Sequence, residues 1–216
     1  MTPGPDGRKC TAYLLAGPGG MPLGLGFNEG LERNAREHAR MKTTRVWAMP
    51  NADTTQCLPI GDLVRRHALG VVVDPFARNS TWATYSNDLN PETAAEHHMD
   101  ACEFLEMLVR DGVQADCVIF DPPFSPRQIK ECYDSIGKKM GQMDTFRTHW
   151  KPERDAINPM VKFNGVVISF GWNTIGMGHG RGYSPEELLV VCHGPGHNDT
   201  LVFVERNVAQ QAEFAL

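Results

Sequence analysis

The chain has 216 residues, 41% of them hydrophobic and 22% charged, which suits one globular domain with a sizeable core and a tail. No apolar run approaches the roughly 18 residues a membrane-spanning helix needs, and no basic start with an apolar stretch marks a secretory signal. The formal net charge of -5 argues against holding a polyanion through bulk charge alone.

Residues 1–40 open with Gly- and Pro-rich stretches (PGPDG, AGPGGMPLGLG) and read as a flexible or irregular leader, with a short helix over GLERNAREHARMK. Residues 41–216 read as the folded domain. RVWAMPNADTTQ is a strand or loop, and a helix follows from about Pro59 to Ala68. LGVVVDPF is a continuous apolar run of the kind buried in parallel sheets, ending in Asp74. TYSNDLN is a second short strand ending in Asp88, and EHHMD a third candidate ending in Asp100. DACEFLEMLVRDG places Ala101, Phe104, Leu105 and Leu108 on one helical face, with Gly112 as its stop. ADCVIFDPPF is another buried strand ending in Asp121. Ser125 and Pro126 then start a helix as N-cap and first residue. A helical stretch around residues 151–162 precedes the strand NGVVISFGW. ELLVVCHG and DTLVFVERN flank a Gly-Pro-Gly turn and predict an antiparallel hairpin at the sheet edge.

Strands alternating with helices predict an α/β fold, a mostly parallel sheet with that C-terminal antiparallel hairpin. Ligands of such sheets bind beyond the carboxyl ends of the strands, so Asp74, Asp88, Asp100 and Asp121 should gather on one rim. Helix or loop capping is the plain alternative for Asp88 and Asp100.

Asp121-Pro122-Pro123-Phe124 is the most specific motif. Two prolines in succession cannot continue a ladder and stiffen the turn. Asp121 and the Pro122 carbonyl can accept both hydrogens of one amino group, and Phe124 offers a face for a planar base. Read without function, the motif is a rigid strand exit. Phe170 and Trp172 end the later strand and either flank a base or fill core. GWNTIGMGHGRGY reads as a mobile loop near the site that orders on binding.

Six cysteines without a Cys-x-x-Cys pair fit reduced, mostly buried thiols. Cys192, His193 and His197 surround a turn, and no metal site is expected. Two groups of cations, Arg33, Arg36, Arg40, Lys42 and Arg45, then Arg127, Lys130, Lys138, Lys139, Arg147, Lys151 and Arg154, are interleaved with acids. Each is either a nucleic-acid patch or a solvated surface.

From about Arg45 to Arg206 the sequence resembles the class I S-adenosylmethionine-dependent methyltransferases, within them the amino-methylating group with the Asp-Pro-Pro-Tyr/Phe signature. The segments that carry the likeness are DPFARNS, NDLNPE, FDPPFSPRQIKECY, ISFGWNT and HNDTLVFVE. The overall look is that of small phage-encoded DNA adenine N6-methyltransferases. The resemblance implies a Rossmann-like methyltransferase domain over residues 41–216 with S-adenosylmethionine as cofactor. It implies that Asp74, Pro75, Phe76, Ala77, Asp88, Leu89, Asp100 and Ala101 line the cofactor site, Asp88 facing the ribose hydroxyls and Asp100 the adenine ring. It further implies that Asp121, Pro122, Pro123 and Phe124 activate the target amine, with Ser125, Arg127, Phe170 and Trp172 toward the substrate. Trp47, Pro50 and Asn51 would wall the methionine end. Arg78, Asn79 and Ser80 stand where that family usually has glycines.

The implied activity is methyl transfer to N6 of adenine in DNA, the base flipped out of the duplex, in the cytoplasm (the host's, for a phage protein). RNA adenine N6, guanine N2 and a non-catalytic binding module are the other readings. No long insertion is available for target recognition, so short or relaxed specificity is expected, or a host or phage protein partner that reads the DNA.

Overall fold

The computed structural model describes residues 41–51, 53–137 and 150–209. The leader 1–40 and its expected helix, and Lys138, Lys139 and Arg147, lie outside the described residues.

Seven strands form one sheet: β1 (Lys42–Trp47), β2 (Val72–Asp74), β3 (Tyr85–Ser86), β4 (Ala115–Phe120), β5 (Val161–Gly171), β6 (Tyr183–Cys192) and β7 (Thr200–Asn207), in the order β1-β6-β7-β5-β4-β2-β3. Only β7 runs against its neighbours, β5 and β6; the other pairings are parallel. The expected Rossmann-like, mostly parallel sheet with a C-terminal antiparallel pair is present. Its edge is not where the sequence suggested. β7 is interior, and β1 covers β6 in parallel, so β1 is the edge on that side. Glu187 of β6 secures it, accepting an ion pair from Lys42 at 3.0 Å and another from Arg66 at 2.8 Å.

Helix α1 (Leu58–His67) buries Ile60, Leu63 and Val64 against one face of the sheet, with Val72, Cys117, Ile119, Ile168, Val191, Val202 and Val204. The other face packs on α2 (Ala101–Arg110), α3 (Pro126–Ser135) and α4 (Lys151–Ile157), through Phe104, Leu105, Leu108, Ile129, Tyr133 and Ile157. The α2 face is the one its sequence spacing predicts, and Gly112 follows it at φ +71°, the left-handed stop that favours glycine. Ser125 caps α3 by accepting from the Gln128 N–H at 3.3 Å.

Several expectations need correction. β3 has two residues and ends at Ser86, and the third candidate strand is a single bridge between Asn87 and His97. Asp88 and Asp100 therefore leave loops rather than strands. Helix α4 stops at Ile157, because Pro159 has no N–H to continue it. β5 begins at Val161, earlier than expected, and bulges where Asn164 takes φ +63°. Among the described residues no helix is long and apolar enough to cross a membrane.

Candidate active site

The chain leaves β2 toward β3 on one side, then crosses back to β4 on the other. The strand order thus reverses between β2 and β4, where α/β sheets open a crevice at their carboxyl ends. Asp74 ends β2 and Asp121 follows β4, so the two carboxylates flank that point. Asp74 is almost completely buried, at 2% exposure. Its carboxyl is pushed up to about 8, by burial first and by the charges of Asp121 and Asp88 after it, against one opposing hydrogen bond from the Phe76 N–H at 3.0 Å. Burial also lifts Asp121, to about 6. A hydrogen bond from Thr54 and the positive charge of Arg78 hold it below what burial alone gives.

Asn87 ties the rim together. Its buried amide donates to the carbonyls of Pro75 at 3.1 Å and Met99 at 3.0 Å, and its Oδ1 accepts from the Met99 N–H at 3.0 Å. One side chain thereby joins the loops that follow β2, β3 and the His97 bridge. Next to it, Asp88 accepts from the Arg78 N–H at 3.2 Å and the Asn90 N–H at 2.8 Å. Leu89 and Phe76 lean half-buried on the α2 side of the core, and Ala77 and Ala101 are buried. Asp100 caps α2, accepting from the Cys102 N–H at 3.0 Å.

The double-proline turn is braced from both sides. The Phe124 N–H donates to Gln128 Oε1 at 2.8 Å, and the Trp150 indole donates to the Pro123 carbonyl at 3.3 Å. Trp150 also meets the Phe76 ring edge-on at 5.3 Å, coupling this turn to the end of β2. Phe124 and Trp172 come together with ring centres 5.9 Å apart, and Trp172 is 43% exposed. Phe170 is instead buried in the core on the α1 side. Ser125 is occupied as the helix cap, Pro122 is buried, and Arg127 is exposed.

Sequence reasoning missed Asn87, Trp150, Asp53 and Thr54. Asn87 had a signal, an amide at a strand exit beside an acid. Asp53 and Thr54 had none, because they lie in a polar loop without periodicity. They, rather than the exposed Trp47 and Asn51, reach toward Asp121 and Arg78.

The glycine-rich stretch after β5 is tied down in its later part, at Met177, Gly178 and Arg181, while Trp172 to Ile175 are exposed. Glu205 of β7 accepts from the Met177 N–H at 2.5 Å and the Gly178 N–H at 2.9 Å. Arg181 ties the same loop to Asp155 and donates to the Met177 carbonyl at 3.0 Å. Both ring nitrogens of His193 are engaged, by the Ala48 carbonyl at 2.7 Å and Thr200 at 2.8 Å. Of the second cation group, Lys130 pairs with Asp134, Lys151 with Asp155, and Arg154 is buried.

No protein-family model matches the chain, and none of the curated proteins does. Among solved structures it is similar to TrmN from Thermus thermophilus, at 16% identity over 70% of this chain and 49% of that one, TM-score 0.45. It is also similar to NSun6 from Pyrococcus horikoshii with SFG, at 12% identity over 69% and 50% of the two chains, TM-score 0.46. The chain spans about half the length of these proteins. Similarity at this level carries neither a substrate nor a reaction from them to this chain.

Proposed function

We propose that this chain is an S-adenosylmethionine-dependent methyltransferase acting on an exocyclic amino group of a nucleobase, with N6 of adenine in DNA as the acceptor. The observation that supports this reading is the meeting of Asp74, Asp88 and Asp121 on one rim, beside the Phe124–Trp172 pair. Burial and the neighbouring acids keep Asp74 protonated up to about 8, and a cationic ligand beside it would favour the ionised form and offset that penalty. Asp88 keeps acceptor capacity for ribose hydroxyls, because each carboxylate oxygen has a second lone pair beyond the backbone N–H it already takes. Asp74, Phe76, Asp88, Leu89 and Asp100 are the residues that would hold the cofactor. When bound there, S-adenosylmethionine supplies an electrophilic methyl group on a sulfonium sulfur.

The chain's own part is to prepare the amine. The Asp121 carboxylate and the Pro122 carbonyl each accept one hydrogen, which favours a pyramidal nitrogen with an available lone pair. Asp121 is largely ionised at neutral pH, given its value of about 6. It is thereby placed to take the proton that the methylated nitrogen sheds. Phe124 and Trp172 hold the flat base, which must leave the duplex to enter. Rate acceleration comes from positioning and from hydrogen bonds that strengthen in the transition state.

The test is incubation with labelled cofactor and unmodified DNA or RNA, then digestion to nucleosides. Label in N6-methyladenine from DNA is expected. Label only in RNA moves the acceptor, and label in neither overturns the reading. Asp121→Ala should lower transfer at least about 100-fold, since it removes both an acceptor and the proton sink; full activity in that variant removes the mechanism.

A further inference from the structure

Trp150 takes the left-handed backbone shape, φ +44° and ψ +38°, at the start of α4. Bulky side chains rarely adopt it, whereas glycine does so freely. Nor does Trp150 cap the helix, since its side chain makes no hydrogen bond to the first turn, where Ser, Thr, Asp or Asn would serve. Neither the backbone nor the cap favours tryptophan at this position. An outlier of this kind persists where its surroundings hold it, and here they hold the side chain. The residue is buried, at 9% exposure. Its indole N–H donates to the Pro123 carbonyl at 3.3 Å, and its ring meets Phe76 at 5.3 Å and 75°.

The Pro123 carbonyl and the Phe124 N–H belong to one peptide unit. Trp150 holds the carbonyl, and Gln128 Oε1 holds the N–H at 2.8 Å, so both polar groups of that unit are clamped. The proline ring fixes φ at residue 123, which leaves ψ of Pro123 as the soft dihedral between this unit and the Pro122 carbonyl. Clamping the unit therefore sets the direction of the Pro122 carbonyl relative to Phe124. The other side of Trp150 rests on Phe76, whose ring also meets Phe120 at 5.6 Å, the last residue before Asp121. The Phe76 N–H in turn donates to Asp74 at 3.0 Å. One side chain thus joins the turns after β2 and β4.

We infer that Trp150 is a positioning residue for methyl transfer. Its indole N–H, seated by the ring's contact with Phe76, fixes the double-proline turn so that the Pro122 carbonyl faces the target amine. The inference rests on the functional reading above. The left-handed backbone at Trp150 is then a consequence of aiming the turn.

Trp150→Phe is the informative variant, because it keeps an aromatic ring beside Phe76 and removes the donor. Hydrogen exchange at the Phe124 amide should quicken about tenfold, the weight of one hydrogen bond, while the amides of Val167 and Ile168 in β5 keep their protection. At a temperature where the variant stays folded, kcat should fall about tenfold, with KM for an oligonucleotide changed less than about twofold. Trp150→Gly suits the backbone, and its transfer per folded molecule should fall at least as far. Unchanged exchange at Phe124, equal quickening in β5, an unchanged kcat or a change in KM alone overturns the inference. Full transfer by Trp150→Gly does the same. If the unaltered protein methylates neither DNA nor RNA, the functional reading fails, while exchange at Phe124 still decides whether Trp150 holds the turn.

Discussion

Glu205 and Asp74 are buried to the same degree in different regions of the sheet, and their surroundings differ in kind. Glu205, 2% exposed, is pushed up by burial, but two backbone N–H groups donate to it and His179 and Arg154 lie near enough to oppose the shift. Asp74, equally buried at 2%, receives one N–H, and its charged neighbours are further acids. The first arrangement is a satisfied anchor, the usual solution for a buried anion. The second leaves electrostatic strain that folding alone does not need. Strain of that kind marks places where a ligand completes the charge balance.

The comparison breaks most visibly at Gly176. A Cβ built there falls inside the Glu205 carboxylate and lies 2.9 Å from the Phe203 ring. Glu205 cannot swing aside without giving up both backbone hydrogen bonds. Gly176→Ala should therefore destabilise by about 2–4 kcal/mol in denaturant unfolding. A loss within the error of the measurement would show the loop is not anchored as described.

Asp74→Asn should act in the opposite direction. The folded value of about 8 lies above the ordinary 3.8, so the folded protein keeps a proton that the unfolded chain releases. The associated stability is present below about pH 4 and is lost as pH rises through about 8. Asparagine keeps the Phe76 hydrogen bond and cannot ionise. The variant should gain on the order of 2 kcal/mol over the unaltered protein at pH 9 and little at pH 4, read from paired denaturation curves. A constant difference across that range would mean that Asp74 carries no strain. Cofactor affinity should fall in the same variant, measured by calorimetry, since the strain is what a cation relieves.

Much of this arrangement was legible beforehand, for identifiable reasons. Buried parallel strands announce themselves as apolar runs, which is why β2, β4 and β5 and the acids after β2 and β4 stood out. The spacing of Phe104, Leu105 and Leu108 fixed the buried face of α2. β3 was overdrawn because the polar residues after it, Asn87 above all, serve loop-to-loop hydrogen bonds that imitate a strand end. The position of β7 inside the sheet was hidden. It depends on β1 pairing with β6 across some 145 residues, which no local pattern encodes. The anchor within the glycine-rich loop was hidden because glycine content signals only permissive backbone. Here Gly176 is small for contact with Glu205, and only the fold brings those two together. Thr54 and Trp150 acquire their partners in the same non-local way.

Trp172 gives the mildest and sharpest test, since it joins the two regions. It follows β5 at the start of the loop that Glu205 anchors, and its ring meets Phe124 of the double-proline turn. At 43% exposure it contributes little to the core, so Trp172→Ala should cost about 1 kcal/mol or less of stability. Loss of one wall of the base slot should raise the KM for an oligonucleotide several-fold, since a stacked base is worth about 1–3 kcal/mol. The rate at saturating oligonucleotide should change less, because the acceptors on the amine, Asp121 and Pro122, stay in place. An equal fall in kcat with KM unchanged would instead place Trp172 at the chemical step, and the loop would then serve the turn itself rather than the base beside it.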